Sequence, residues 1–231
     1  MPEAPTSLSS DPPSDAAVAG ETTPAEGPPA GRKRPRPGER RVQILQTLAG
    51  MLEQPGADRI TTAALAARLS VSEAALYRHF ASKAQMFEGL IEFIEQTVFT
   101  LVNQITERVA AAAPGEAAAG NRQAGQIIAM LLQFAEKNPG MTRVMVGDAL
   151  VFENARLQQR MNQFFDRIEA TLRQALRPLA DDRGSATPTV DAQVRAAALT
   201  AFLVGRLHRF ARSGFKRLPS EHLDASLALL L

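Results

Sequence analysis

Cysteine and tryptophan are absent from this 231-residue chain, which has a single tyrosine. The lack of cysteine excludes disulfide bonds, thiolate metal ligands and cysteine nucleophiles. Long apolar runs are also lacking, since the best one, Ala196 to Gly205, is interrupted by Thr200 and falls well short of the roughly 18 to 20 residues that a membrane-spanning helix needs. The start of the chain has acidic residues among prolines instead of a secretory signal. We therefore expect a soluble protein that stays in the cytoplasm.

Catalytic and metal-binding motifs are missing as well. The three histidines, His79, His208 and His222, are isolated, and no paired-histidine spacing, glycine-flanked serine or phosphate-binding glycine loop occurs. Carboxylates do not cluster on any predicted helix face, and Asp181-Asp182 resembles a helix stop more than an acid/base pair. We expect no enzymatic activity, no metal site and no cofactor.

Charge is unevenly distributed behind a formal net value of +2. Residues 1–31 contain five acids and no base, whereas Arg32 to Lys83 contains ten bases and four acids. A local excess of positive charge on a compact unit suits a DNA backbone, because neutralised phosphates release counterions. An ordinary solvated face is the alternative explanation.

Three regions follow from composition and periodicity. Nine of the fifteen prolines lie in residues 1–37, so residues 1–38 are predicted to be a disordered tail. The basic end of this tail, residues 31–38, would lie along DNA as an arm or serve as a soluble leader. Residues 39–82 are predicted to form a DNA-binding domain, and residues 83–231 a helical dimerisation and partner-binding domain.

The hydrophobic spacing predicts an all-α protein, because apolar residues recur every three or four positions and no alternating strand pattern appears. In the second domain we expect Pro178, together with Asp181-Asp182-Arg183-Gly184, to close one long helix. The predicted helices cover Glu39 to Glu53, Thr62 to Leu69, Glu73 to Phe80, a long helix opened by Ser82, Gln123 to Lys137, Met141 to Glu153, Arg156 to Leu179, Val190 to Arg212 and Glu221 to Leu231.

Residues 62–80 have the spacing of a helix-turn-helix. Ala66 is small where two helices would cross, Val71 occupies the turn, and the shared core comes from Leu65, Leu69, Leu76 and Phe80. Any two-helix hairpin within a bundle would show the same spacing. Thr61 or Thr62, together with Ser72, would cap the two helices.

The segment from Val71 to Lys83 closely resembles the signature of the TetR family, in which valine-serine precedes the recognition helix and tyrosine-x-histidine-phenylalanine ends it. The resemblance covers about residues 39–90. It implies an N-terminal three-helix helix-turn-helix domain on a C-terminal helical dimerisation domain, and binding of palindromic double-stranded DNA by the homodimer. Ser70 stands where the family commonly has glycine; a left-handed backbone there would cost about 1 to 2 kcal/mol.

The resemblance also assigns DNA-contacting residues. Phosphate contacts are implied for Thr61, Thr62, Tyr77, His79 and Lys83, and base-edge contacts for Ser72, Glu73, Ala74 and Arg78. Other roles stay open for three of them: Tyr77 as a half-buried amphipathic ring, His79 packed against the fourth helix, and Arg78 as a plain surface charge.

Further segments resemble the nucleoid-occlusion branch of the TetR family: Ile60 to Ala63, Leu90 to Glu95, Lys137 to Arg143 and Arg167 to Ala170. This resemblance implies a nucleoid-associated dimer that antagonises the tubulin-like division GTPase FtsZ, whose C-terminal tail docks between the fourth and fifth helices. The residues expected in this partner site are Phe93, Met130, Lys137 and Asn138.

The residues give weaker, independent support for such a groove. Met86, Gly89, Phe93 and Thr97 lie beside the main apolar stripe of the fourth helix, and Met130, Gln133 and Lys137 beside that of the fifth. Apolar residues off the core face suggest a partner site, although neighbouring side chains would cover such residues equally well.

Two other functions are compatible with the helical pattern: a transcriptional repressor released by a small ligand held in the second domain, and a helical scaffold without a DNA role. Tight aliphatic and alanine-rich helices argue against a large ligand pocket. We expect a two-fold dimer through the last two long helices, because Arg156 to Leu179 is apolar over most of its circumference. Small residues that permit close approach are Ala196, Ala197, Ala198, Ala201 and Gly205.

Overall fold

The computed structural model describes residues 38–54, 60–112, 118–182 and 184–231. Residues 1–37 of the predicted tail lie outside this part, as do Pro55-Gly56 and Pro114-Gly115. The described residues form nine α-helices and no strand, as the spacing predicted. The helices are α1 (Glu39–Leu52), α2 (Thr62–Arg68), α3 (Glu73–Tyr77), α4 (Lys83–Ala112), α5 (Ala119–Lys137), α6 (Pro139–Met145), α7 (Ala155–Asp182), α8 (Pro188–Arg212) and α9 (Leu223–Leu230).

Hydroxyl caps set the starts of the two short helices of the helix-turn-helix. Thr61 Oγ1 accepts a hydrogen bond from the Ala64 amide at 3.1 Å, and Ser72 Oγ accepts one from the Ala75 amide at 3.3 Å. Both caps satisfy amides that have no partner within their helix. The predicted cap of α4 is also confirmed, since Gln85 donates its amide to Ser82 Oγ at 3.1 Å.

The turn between α2 and α3 depends on a left-handed residue. Ser70 has φ 54°, the Val71 amide donates to the Ala66 carbonyl at 3.0 Å, and the Ser70 amide donates to the Ala67 carbonyl at 3.1 Å. This bond pair is a Schellman motif, which requires a left-handed residue at the position of Ser70. Ser70, which stands where the family commonly has glycine, therefore has a strained backbone.

Two helix boundaries in the second domain were predicted wrongly. Met141 to Glu153 is not one helix: Gly147 adopts φ 83°, so α6 ends at Met145 and a single 3₁₀ turn, Asp148–Leu150, follows. Pro178 does not close α7, which continues to Asp182. Proline removes only one hydrogen bond, and Leu179, buried just beyond it, holds the last turn in the core.

One continuous hydrophobic core runs from α1 to α8. α4 contacts α1, α5 and α7, and α7 packs along α8. The helix-turn-helix unit formed by α1, α2 and α3 packs on the second domain at two close approaches. A Cβ on Gly140 in α6 would overlap the Ala49 carbonyl of α1, and a Cβ on Gly89 in α4 would lie 3.2 Å from Phe80 Cε1. Glycine at these positions lets α1 and Phe80 approach the second domain closely.

Within the described ranges, no helix is long and apolar enough to cross a membrane.

Candidate nucleic-acid interface and partner groove

The helix-turn-helix presents most of its predicted DNA contacts on one accessible surface. Thr61, Ser72, Glu73, Ala74, Tyr77 and Arg78 are exposed, while Thr62, His79 and Lys83 are partly buried. The predicted core residues Leu65, Ala66, Leu76 and Phe80 are buried, and Leu69 and Val71 pack against them. The two short helices are therefore one rigid unit with its polar side outward.

Three of the predicted DNA contacts touch one another. Thr62 Oγ1 donates a hydrogen bond to Glu73 Oε2 at 2.6 Å, and Tyr77 Oη lies 3.5 Å from Thr62 Oγ1. This network joins the start of α2 to the exposed face of α3. The Tyr77 side chain is 45% exposed and its hydroxyl lies at this polar cluster; its contact with a phosphate stays a prediction.

Arg78 lies at the C-cap of α3, where its amide donates to the Leu76 carbonyl, and its guanidinium makes no hydrogen bond or ion pair within the described part of the chain. His79 is partly buried, and its backbone carbonyl accepts a hydrogen bond from Arg41 of α1 at 2.7 Å. No sequence pattern pointed to Arg41 beyond its place one turn before the buried Ile44. An exposed, unpaired guanidinium on the recognition helix is able to reach a base edge or a phosphate.

Lys83, for which a phosphate contact was predicted, has a partner within the chain. Its ammonium forms an ion pair with Glu153, which follows the 3₁₀ turn, and both side chains are largely shielded. The ammonium also lies 5.7 Å from the centre of the Phe87 ring. A phosphate contact by Lys83 would therefore compete with Glu153.

A second ion pair fixes α4 to α7. Arg160 donates from Nη2 to Glu95 Oε2 at 2.6 Å and from Nε to Glu95 Oε1 at 3.2 Å. The side-chain hydrogen bond with Glu95 raises the pKa of Arg160 above its ordinary value, against the opposing effect of burial, and the charges of Glu92 and Glu88 act in the same direction as that bond. This two-point contact restricts rotation of α4 relative to α7.

A shallow groove lies between α4 and α5. The cavity encloses about 330 Å³ and includes Met130, one of the predicted partner-site residues. Its other lining residues are Leu101, Gln104, Ile105, Arg108, Gln126, Ala129 and Gln133. The residues of α4 that line the groove were not predicted, because Leu101 and Ile105 belong to the same apolar stripe that forms the core.

Phe93 and Lys137 lie beyond one end of this groove. Gln123 Nε2 donates to Thr106 Oγ1 at 2.9 Å, which sets the antiparallel register of the two helices. We count the same number of residues back along α4 from Thr106 and forward along α5 from Gln123. By this count Phe93 lies opposite a residue next to Lys137. Phe93 is 44% exposed, and Lys137 is an exposed cation at the end of α5.

The other residues predicted near this groove have structural contacts. Asn138 is partly buried and donates from Nδ2 to the Phe134 carbonyl at 2.7 Å, which satisfies one of the last carbonyls of α5. Met86 is fully buried and Gly89 packs on Phe80 and Leu45, so the expectation that these two flank a partner site was wrong. α4 buries more than one face because the helix-turn-helix unit covers its first turns.

The outward face of α8 is apolar and made of small residues. Val190 and Val194 are 57% and 63% exposed, Ala197, Ala198 and Ala201 are exposed, and a Cβ on Gly205 would meet nothing within 4 Å. Ala196, by contrast, is buried within the chain. α7 is strongly amphipathic, so the prediction that most of its circumference is apolar was wrong.

Comparison with known families agrees with this architecture. A family described as "Bacterial regulatory proteins, tetR family" matches residues 44–90, and one described as "Tetracyclin repressor-like, C-terminal domain" matches residues 122–231. Among solved structures, the fatty acid degradation regulator FadR from Bacillus halodurans aligns over 84% of this chain and 95% of its own with a TM-score of 0.66 and 14% identity. The regulator FadR from Bacillus subtilis, solved with stearoyl-CoA, aligns over 82% and 96% with a TM-score of 0.64 and 13% identity. These likenesses establish the fold: the class is that of TetR-type DNA-binding regulators.

Sequence relatives narrow the class further. The chain is 51% identical over 192 residues to the nucleoid occlusion factor SlmA of Vibrio cholerae, covering 83% of this chain and 93% of the relative. It is 49% identical over 197 residues to SlmA of Aliivibrio fischeri, covering 85% and 96%. SlmA of Idiomarina loihiensis is 50% identical over 186 residues, covering 80% and 90%. The chain belongs to the SlmA family of nucleoid occlusion factors, as its sequence motifs indicated.

Proposed function

We propose that this nucleoid occlusion factor is a cytoplasmic, nucleoid-associated homodimer that binds palindromic DNA through α3 and, while bound, antagonises FtsZ assembly over the chromosome. Residues 39–82 would bind the DNA, and residues 83–231 would dimerise and bind FtsZ. The proposal is carried by one observation: the side of the helix-turn-helix that the TetR signature assigns to DNA is the exposed polar side of a rigid unit.

The contacts on that side suggest which part of the DNA each residue would bind. Arg78 would read a base edge or a phosphate because its guanidinium is unpaired in the described part of the chain. Glu73, held by Thr62, would present its other carboxylate oxygen to an amino group such as cytosine N4. Thr61 and Ser72 would contact phosphates or bases from helix N-termini, where the helix dipole favours anions.

Arg78→Ala tests the DNA side of the proposal. Specific binding should weaken by about 1 to 3 kcal/mol, with relaxed preference at one base pair if Arg78 reads a base. Fluorescence anisotropy with a selected palindromic duplex and single-position variants of it would measure this. Arg212→Ala is a matched control, because Arg212 is an exposed arginine at the far end of α8. Unchanged affinity for Arg78→Ala would refute the assignment of α3.

The α4/α5 groove would bind an extended, partly acidic peptide from the FtsZ C-terminal tail. Phe93 would supply an apolar anchor at one end, and Met130 would line the middle. Lys137, where the helix dipole already favours a cation, would meet the peptide's carboxylates. Arg108 gives the opposite end of the groove a second cation. Asn138 would contribute through the shape of the α5 end, because its side chain is held by Phe134.

Phe93→Ala tests the partner side. It should abolish binding of a labelled FtsZ tail peptide while leaving DNA affinity near normal, since Phe93 lies outside the helix-turn-helix. Phe152→Ala is the matched control, because Phe152 is a phenylalanine that is 68% exposed at the turn before α7. Normal peptide binding by Phe93→Ala would place the groove elsewhere and favour the ligand-controlled repressor.

The dimer would form through the outward face of α8. Its small residues allow two helices to approach closely about a two-fold axis, and its exposed valines would be covered there. Dimerisation would place two α3 helices to meet successive half-sites of a palindrome.

A further inference from the structure

The C-terminal end of the recognition helix is held by a residue from another helix. α3 is five residues long and ends at Tyr77, so the position of the backbone just beyond it depends on contacts with other elements. Arg41 of α1 donates from Nη1 to the His79 carbonyl at 2.7 Å, and its Cζ lies 4.2 Å from the centre of the Phe80 ring. One guanidinium therefore contacts both the backbone that leaves α3 and the side chain that anchors it.

Phe80 also packs closely against α4. The ring is 1% exposed, and its Cε1 atom lies only 3.2 Å from the position that a Cβ on Gly89 would occupy. The ring that Arg41 stacks on is therefore buried against the second domain. The position of the guanidinium is thus tied to the end of α3 and to the second domain together.

We infer that Arg41 is a positioning residue for DNA recognition, which sets the angle at which α3 enters the major groove without itself contacting a base. The inference rests on the proposed function, in which α3 reads DNA. Arginine suits the role because its planar guanidinium stacks on a ring and donates to a carbonyl at the same time. Lysine retains the charge but presents a compact ammonium that cannot do both.

Arg41 is also exposed, and a direct phosphate contact is the competing explanation. The two roles differ in measurable ways. A phosphate contact contributes to binding of any sequence and adds about one to the salt dependence. A positioning residue affects the specific site and leaves non-specific binding and the salt dependence unchanged.

The experiment compares R41K and R41Q with the wild type, using a selected palindromic duplex and a scrambled duplex over a range of salt concentrations. R40K is the matched control, because Arg40 neighbours Arg41 on α1 and, among the residues that the structure describes, donates to Gln43 of the same helix, at 2.7 Å. We expect R41K to bind the palindrome about tenfold more weakly, the loss of roughly one charged hydrogen bond. The scrambled duplex and R40K should behave as in the wild type, and R41Q should keep the wild-type salt slope.

Two outcomes would overturn the inference: wild-type affinity of R41K for the palindrome, or equal weakening on both duplexes with a salt slope lowered by about one in R41Q. Thermal unfolding of each variant controls for loss of structure, and R41Q provides a second test if R41K is unstable. Arg78→Ala is measured in parallel. If Arg78→Ala binds normally, the proposed function fails; if it binds weakly while R41K binds normally, only the role of Arg41 fails.

Discussion

Gly140 gives a direct test of how the DNA-binding domain is seated on the second domain. It is the second residue of α6, and a Cβ there would lie 2.8 Å from the carbonyl carbon of Ala49 and nearer still to its oxygen. Glu53 Cγ would lie at 3.2 Å. A helix carbonyl cannot rotate aside as a side chain does, so α1 and α6 would have to separate. Overpacking of this kind costs about 1 to 3 kcal/mol.

Gly140→Ala should therefore lower the free energy of unfolding by about 2 kcal/mol, which corresponds to a fall of about 4 to 8 °C in Tm for a chain of this size. Gly50→Ala is the matched control. Gly50 follows Ala49 in α1, and a Cβ there would meet nothing within 4 Å. Since alanine favours helix over glycine, this change should stabilise the protein by about 0.5 kcal/mol.

Thermal and urea unfolding at fixed protein concentration would measure both variants. The same glycine-to-alanine change should thus lower stability at Gly140, which contacts α1, and raise it at Gly50, which lies on α1 and faces open space. The reasoning fails if Gly140→Ala is as stable as the wild type, because the contact between α1 and α6 would then be looser than the structure indicates.

Three further predictions follow from individual contacts. Ser70→Gly should stabilise the protein by about 1 kcal/mol in urea denaturation, because it relieves the left-handed strain; a loss of stability would contradict that strain. Ala201→Glu should convert the dimer to monomers in sedimentation at micromolar concentration and weaken DNA binding with it, whereas a persisting dimer would place the interface elsewhere. Glu153→Gln should tighten DNA binding by up to about fivefold by releasing Lys83, in line with the ~0.2 to 1 kcal/mol of an ion pair near the surface. An unchanged affinity would mean that Lys83 does not reach the DNA.

Features encoded by neighbouring residues were predictable. The caps at Thr61, Ser72 and Ser82 and the turn at Ser70 each depend on a few consecutive residues, and the structure has them where the sequence indicated. The helix-turn-helix core was predictable for the same reason. Its apolar positions serve one short hairpin, whose two helices must pack on each other.

The ends of some helices depend on competition between local and distant effects. Pro178 is a strong local stop signal, yet burial of Leu179 against the core extends α7 past it. Hydrophobic periodicity also gave the wrong extent of the buried surface for α7 and for the first turns of α4. A period of 3.6 residues identifies a buried face but does not say how many neighbours a helix has.

The helical class, the position and spacing of the recognition unit, and the family were predictable from the amino-acid sequence. These properties rest on local patterns and on motifs that are contiguous in the chain. Three features required the folded chain: the ion pair of Lys83 with Glu153, the contacts between domains at Gly89 and Gly140, and the hydrogen bond from Arg41 to the backbone that leaves α3. Such pairings join residues far apart in the chain, and their register is set by how whole helices pack, which no short segment encodes.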